Sequence, residues 1–168
     1  FTKDYWQVLP TGETHRLNLP QDGDIVGYLA GQLLVQLRDA WQRANQTYPA
    51  GALIAVKLNK GELGAAQILF EPNEQQAIES VETSKRFVIV SLLDNVAGKL
   101  KAWKWHNGDW QEVALPTLPQ GALEITDQPW GGDVVYLASS DFTTPLTLFV
   151  LDLQVNELTV LRRQPKQF

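Results

Sequence analysis

The chain has 168 residues, 44% of them hydrophobic and 20% charged, with a formal net charge of -5, enough to bury the core of one domain without covalent staples. Acidic and basic residues are interspersed, which argues against a nucleic-acid or anionic-membrane surface, and neither partner is expected. With no cysteine in the chain there is no disulfide framework and no thiolate metal site; no metal or cofactor is expected, and cytoplasmic and periplasmic locations fit equally.

The N-terminal FTKDYWQV has neither a basic nor an apolar signal region, and no stretch approaches the ~20 apolar residues of a membrane helix, so a soluble chain is expected. It starts at Phe1 and contains no methionine, as expected of a segment from something longer. Short runs rich in Val, Ile, Leu, Phe and Trp then recur between Gly, Asn, Asp and Pro, the pattern of an all-β chain. In order they are HRLNL (15–19), DIVGYLA (24–30), QLLVQLR (32–38), ALIAVKL (52–58), QILF (67–70), AIESVE (77–82) and RFVIVSLLD (86–94). They continue with KLKAWKW (99–105), WQEVAL (110–115), ALEIT (122–126), DVVYLAS (133–139), PLTLFVLDL (145–153) and ELTVLRR (157–163). Residues 39–51, DAWQRANQTYPAG, interrupt the series and read as a surface loop.

One run in each group opens on a turn residue and closes just before a proline: Gly12 to Pro20, Gly61 to Pro72, Gly108 to Pro116, and Asn156 to Pro165. The prolines are 52, 44 and 49 residues apart. A period of roughly 40 to 50 residues with four strands per unit fits β-propeller blades. Proline cannot donate to a ladder and is tolerated at the end of an outer strand. The expectation is a single partial propeller domain over 1–168, with three four-stranded antiparallel blades at about 22–72, 73–116 and 117–165; residues 12–20 would be the last strand of a preceding blade. A β-sandwich also yields many short strands, but it does not account for the recurring turn, strand and proline.

Three segments resemble the propeller of the prolyl oligopeptidase family of serine peptidases: GQLLVQLRDAW (31–41), SLLDNVAGKLKAW (91–103) and SDFTTPLTLFVLDL (140–153). The resemblance runs from about Leu17 to Phe168, and the last segment places the chain in the C-terminal part of the N-terminal propeller. It implies a seven-bladed ring joined to an α/β-hydrolase domain that carries a Ser-Asp-His triad, cleaves short peptides and is covered by the ring. Phe168 would then lie near the domain boundary.

The chain itself offers no such chemistry. The nucleophile elbow needs G-x-S-x-G, and no Gly is followed two residues later by Ser; the serines are Ser80, Ser84, Ser91, Ser139 and Ser140, and the histidines His15 and His106. No catalytic, cofactor-binding or metal-binding residue is therefore assigned. Asp22-Gly23-Asp24 lacks the further ligands of a calcium loop and reads as a turn. Trp130-Gly131-Gly132-Asp133 lacks a phosphate loop's lysine and helix and reads as a hairpin turn. Trp103 and Trp105 share one strand face, with Trp110 across the next turn, either as an aromatic core between blades or as a binding patch. Asn45-Gln46-Thr47 matches a glycosylation sequon.

Three functions follow: a non-catalytic propeller segment covering the hydrolase site of a peptidase, a stand-alone propeller binding a peptide or protein, and a carbohydrate-binding sandwich. The first makes the hydrolase domain and the parent's peptide substrates its partners. An isolated arc of blades would expose apolar faces and self-associate.

Overall fold

The computed structural model describes residues 2–128 and 131–165. Among them are sixteen strands and no helix. They are β1 (Tyr5–Val8), β2 (Thr14–Leu17), β3 (Asp24–Leu29), β4 (Gln32–Gln36), β5 (Trp41–Arg43), β6 (Gln46–Tyr48), β7 (Leu53–Asn59) and β8 (Glu62–Phe70). There follow β9 (Gln76–Thr83), β10 (Phe87–Asp94), β11 (Ala97–His106), β12 (Asp109–Val113), β13 (Ala122–Asp127), β14 (Val134–Ser140), β15 (Thr147–Asp152) and β16 (Glu157–Arg163). They fall into two compact units, Phe1–Pro72 and Asn73–Phe168.

The first unit holds the four-stranded sheet β3-β4-β7-β8 and two hairpins, β1-β2 and β5-β6. All pairing is antiparallel, with Leu33 opposite Val56 and Val35 opposite Ile54. These four side chains, together with Leu37, Tyr48 and Leu17 and Leu19 from the β2 segment, form one core. Every one of the thirteen predicted runs contains a strand, because apolar runs bounded by turn residues are an unambiguous β signal.

The structure adds three strands. Tyr5–Val8 pairs with the strand of the 12–20 segment, and its Tyr5 hydroxyl donates to the Gly23 carbonyl at 3.0 Å. Residues 39–51, expected to be a loop, contain the β5-β6 hairpin. Trp41 and Tyr48 stand opposite each other with ring centroids 5.6 Å apart, and Tyr48 is buried in the core. Arg43 donates to the carbonyls of Gly64 and, at 2.6 Å, Leu63, so the hairpin is fastened to the outer strand β8. Strands of three residues are too short for alternation to show in sequence.

The second unit holds two four-stranded sheets, β9-β10-β11-β12 and β13-β14-β15-β16, each in chain order. Phe87, Ile89, Leu100 and Ala102 of the first meet Leu123, Val135, Leu137 and Leu151 of the second. Close approach depends on Gly98, where a Cβ would stand 2.7 Å from the Leu123 backbone nitrogen. The recurring turn residues have a common backbone role. Gly12, Gly61, Gly108 and Asn156 all have positive φ, and each precedes the last strand of its sheet. Lys60-Gly61 and Asn107-Gly108 each place two successive residues there, the signature of the type I′ hairpin whose twist matches its strands.

Two glycine substitutions separate strain from crowding. A Cβ at Gly108 meets nothing within 4 Å, whereas at Gly61 it would fall 2.4 Å from His15. Gly108→Ala is expected to cost about 1 kcal/mol from φ alone, and Gly61→Ala distinctly more. Ile54→Ala, which empties a fully buried position, is expected to cost about 2–5 kcal/mol. Urea midpoints of the three variants check the order.

Candidate functional site

The candidate residues of the sequence are divided between the two units. His15 is half-buried in β2 in the first unit, at Gly61, while His106 is exposed at the end of β11 in the second. Ser91 donates to Glu79 at 3.4 Å, and Ser84 donates to Asp133 at 2.8 Å. Asp24 accepts from Arg38 at 3.0 and 3.2 Å and from Lys3, and Asp22 accepts the Asp39 amide at 3.2 Å. The hydrogen bonds from Lys3 and then Arg38 hold the Asp24 carboxyl below its ordinary range. These two aspartates tie the start of β3 to the segments beside it. Asn45 lies at the exposed tip of the β5-β6 hairpin.

Trp103 and Trp110 are each 4% exposed, which leaves neither free to serve as a ligand platform. Trp110 packs edge-on against Trp105, opposite it across the β11-β12 pair, with centroids 5.4 Å apart. Trp130 lies outside the described residues, but Gly131 has φ +82 and the Gly132 carbonyl accepts the Lys85 amide at 3.1 Å.

That contact belongs to a polar cluster around Asp133 that the sequence did not single out. Asp133 is 7% exposed. One carboxylate oxygen accepts from Ser84 Oγ at 2.8 Å and the Arg86 amide at 3.0 Å, and the other from Arg86 Nε at 2.6 Å. Ser84 Oγ in turn accepts the Phe87 amide at 3.1 Å. The Asp133 backbone carbonyl accepts the Leu153 amide at 2.9 Å. Burial raises the carboxyl pKa, but the hydrogen bonds from Arg86 and Ser84 outweigh it and hold the group below its ordinary range. The cluster clamps the β9-β10 turn to the start of β14. Both of its carboxylate oxygens accept hydrogen bonds, which suits a joint.

A groove of about 470 Å³ runs between β9 and β13, the first strands of the two sheets. Glu79, Glu82 and Glu124 line it, and no lysine or arginine does. Such a wall favours cationic over anionic groups.

The family model for the prolyl oligopeptidase N-terminal β-propeller domain matches residues 25–164. The chain belongs to this family. Among curated proteins, an uncharacterized peptidase of Sinorhizobium fredii is 27% identical over 157 residues, covering 90% of this chain and 22% of that protein. An uncharacterized peptidase of Rickettsia prowazekii is 24% identical over 154 residues, covering 88% of this chain and 21% of its own length. The prolyl oligopeptidase propeller segment seen here thus spans about a fifth of the curated relatives it matches. A post-proline cleaving enzyme from Rickettsia typhi superposes with a TM-score of 0.79 at 18% identity, covering 99% of this chain and 25% of that one. Prolyl oligopeptidase B from Galerina marginata gives 0.62 at 16% identity, covering 96% and 23%. These likenesses show the fold: the antiparallel sheets are a fragment of a propeller.

The Asp133 joint has a pH signature. Because its folded pKa is depressed, its contribution is present above the unfolded value of about 3.9 and is lost as pH falls through the lower folded value. Asp133→Asn turns an acceptor facing Arg86 into a donor and is expected to cost about 2 kcal/mol at pH 7. The gap to the parent protein should narrow below pH 4, as followed by denaturation at a series of pH values.

Proposed function

We propose that this chain is a non-catalytic propeller segment of a prolyl oligopeptidase-like serine peptidase, covering the active site of a hydrolase domain and restricting which substrates reach it. The observation that carries this reading is the family match over residues 25–164. Two curated relatives named as peptidases, each about five times as long as the stretch they share with this chain, support it. The nucleophile and its base would belong to the following hydrolase domain, and the engagement of Ser84 and Ser91 within the second unit is consistent with that. A ring of packed sheets suits the role, since rigid walls admit flexible peptides and turn away folded ones.

On this reading residues 1–168 form one partial propeller domain. The four-stranded sheets at 24–70, 76–113 and 122–163 support blades at about 22–72, 73–116 and 117–165. The β1-β2 pair supports 12–20 as the last strand of a preceding blade and supplies the strand beside it. The 140–153 segment supports a position on the C-terminal side of the ring.

The test is peptide hydrolysis by the full-length protein and by residues 1–168 alone. The full-length protein is expected to cleave short proline-containing peptides, to lose activity with a serine-directed inhibitor, and to spare the same sequence inside a folded protein. Residues 1–168 are expected to show no turnover. Inhibitor-sensitive turnover by residues 1–168, or a full-length protein with no hydrolase domain, would overturn the reading; the latter would favour a stand-alone interaction propeller.

The isolated chain is also expected to associate with itself. The face of β13-β16 away from the core carries Tyr136, Leu148 and Val150, all incompletely buried, and apolar sheet faces seek cover. Light scattering should show a mass that rises with concentration, and a strictly monomeric mass over a wide range would count against it.

A further inference from the structure

Two turns of the same backbone form lead into the last strands of their sheets, in different surroundings. Lys60 and Gly61, between β7 and β8, have φ of +48 and +85, and Asn107 and Gly108, between β11 and β12, have +50 and +81. The first turn is docked. The Gly61 amide donates to Gln7 Oε1 at 2.6 Å, and a Cβ on Gly61 would fall 2.4 Å from His15. The second turn stands in water. Residues 106–109 are all exposed, and a Cβ on Gly108 would meet nothing within 4 Å. His106 pairs with Asp109 at the mouth of this turn, so the Gly108 amide lies beyond the last rung of the ladder.

Because a lysine forms the same turn at 60, the carboxamide at 107 is not needed to shape it. Its chemistry differs from that of lysine. Asparagine followed by glycine is the sequence in which a backbone nitrogen attacks the side chain most readily, since glycine puts no side chain of its own in the way. Asn107-Gly108 is the only such pair in the chain. Among the described residues none holds the Asn107 carboxamide. By contrast, the Asn73 carboxamide accepts the Gln75 amide at 2.9 Å, and the Asn95 carboxamide donates to Asp94 at 3.3 Å.

We infer that Asn107 is a site of spontaneous modification, at which the β11-β12 turn deamidates and isomerises. The Gly108 nitrogen, after giving its proton to hydroxide, attacks Asn107 Cγ. The new bond closes a cyclic imide, the Cγ–Nδ2 bond breaks, and ammonia leaves with a proton taken from water. Water then opens the ring at one carbonyl or the other. One product is aspartate; the other is isoaspartate, in which the chain runs through the former side chain and gains one backbone carbon. Either product adds a negative charge. The extra carbon falls in a two-residue turn whose positive φ values match the twist of the strands it joins. Isoaspartate does not keep that geometry, and β12 is an outermost strand paired only with β11. It therefore loosens from the end that carries Trp110, which pairs with Trp105 one rung in and packs on it at 5.4 Å. The pairing of His106 with Asp109 slows the attack relative to an unfolded chain without stopping it.

The test incubates the full-length protein under native conditions at mildly alkaline pH and maps every asparagine by peptide mass, with isoaspartate told from aspartate by fragmentation. Conversion at Asn107 is expected to be at least about tenfold faster than at any other asparagine, a difference of about 1.4 kcal/mol in barrier, and to quicken as pH rises. Asn107→Lys, which copies the turn at Lys60, is expected to fold and to lose the modification. Once Asn107 has become isoaspartate, the amides of 109–113 are expected to exchange with deuterium faster, whereas in freshly prepared Asn107→Asp they keep the parent rate. If Asn107 stays intact in the native protein while the urea-denatured chain converts it, the turn protects the site and the inference fails. Conversion no faster than at Asn73 or Asn95 also overturns it. Exchange that isoaspartate leaves unchanged overturns the loosening of β12.

Discussion

Side chains alternate across a strand, so three consecutive buried residues mean that both faces of the sheet are covered. Val88, Ile89 and Val90 of β10 are fully buried, as are Leu53 to Val56 around β7 and Leu34 and Val35 of β4. A four-stranded sheet with two apolar faces cannot stand alone in water. Burying each such Leu or Ile contributes about 1.5–3 kcal/mol. The repeat in sequence, the polar outer strands and the need for a stack of sheets all follow from this one requirement. β16, the last strand of its sheet, is exposed at most positions, as an outermost strand should be.

Apolar burial has no preferred direction, so something else must set how one sheet sits on the next. In the second unit two devices do this. Gly98 lets the β11 backbone approach β13 more closely than any side chain would allow. The Asp133 carboxylate, bonded to Ser84 and Arg86, fixes the opposite end of the two sheets in register. In the first unit Tyr5 and Asp24 perform the comparable task between β1-β2 and β3. Within each unit these contacts hold the connecting turns in place.

What such a domain presents to its surroundings is set by its edges and turns. The acidic groove along β9 and β13 reaches the apolar β10-β11 turn, whose Val96 lines it and is 91% exposed. The groove is lined by β9 and β13 together with Leu93 of β10, Val96 of the β10-β11 turn and Gly98 of β11.

The sequence by itself determined the strand class, the repeat and the family. Apolar runs with period-two exposure, turn residues that tolerate positive φ, and prolines after outer strands are local signals, each readable within ten residues. Thus Gly61 and Asn156 marked their hairpins, and 140–153 marked the family, without any knowledge of contacts. The tertiary structure alone decided what depends on residues far apart in the chain. Asp133 looked like part of a glycine turn, and its partners lie 47 and 49 residues earlier. Tyr48 looked like loop and became core, because Trp41 and the β7 side chains surround it. Phe142 stood only within the family-resembling segment 140–153, and the structure places it on a loop closed by Asp141 with its ring in water. Local sequence sets backbone conformation, but burial and hydrogen-bond partnership are properties of the packed sheets.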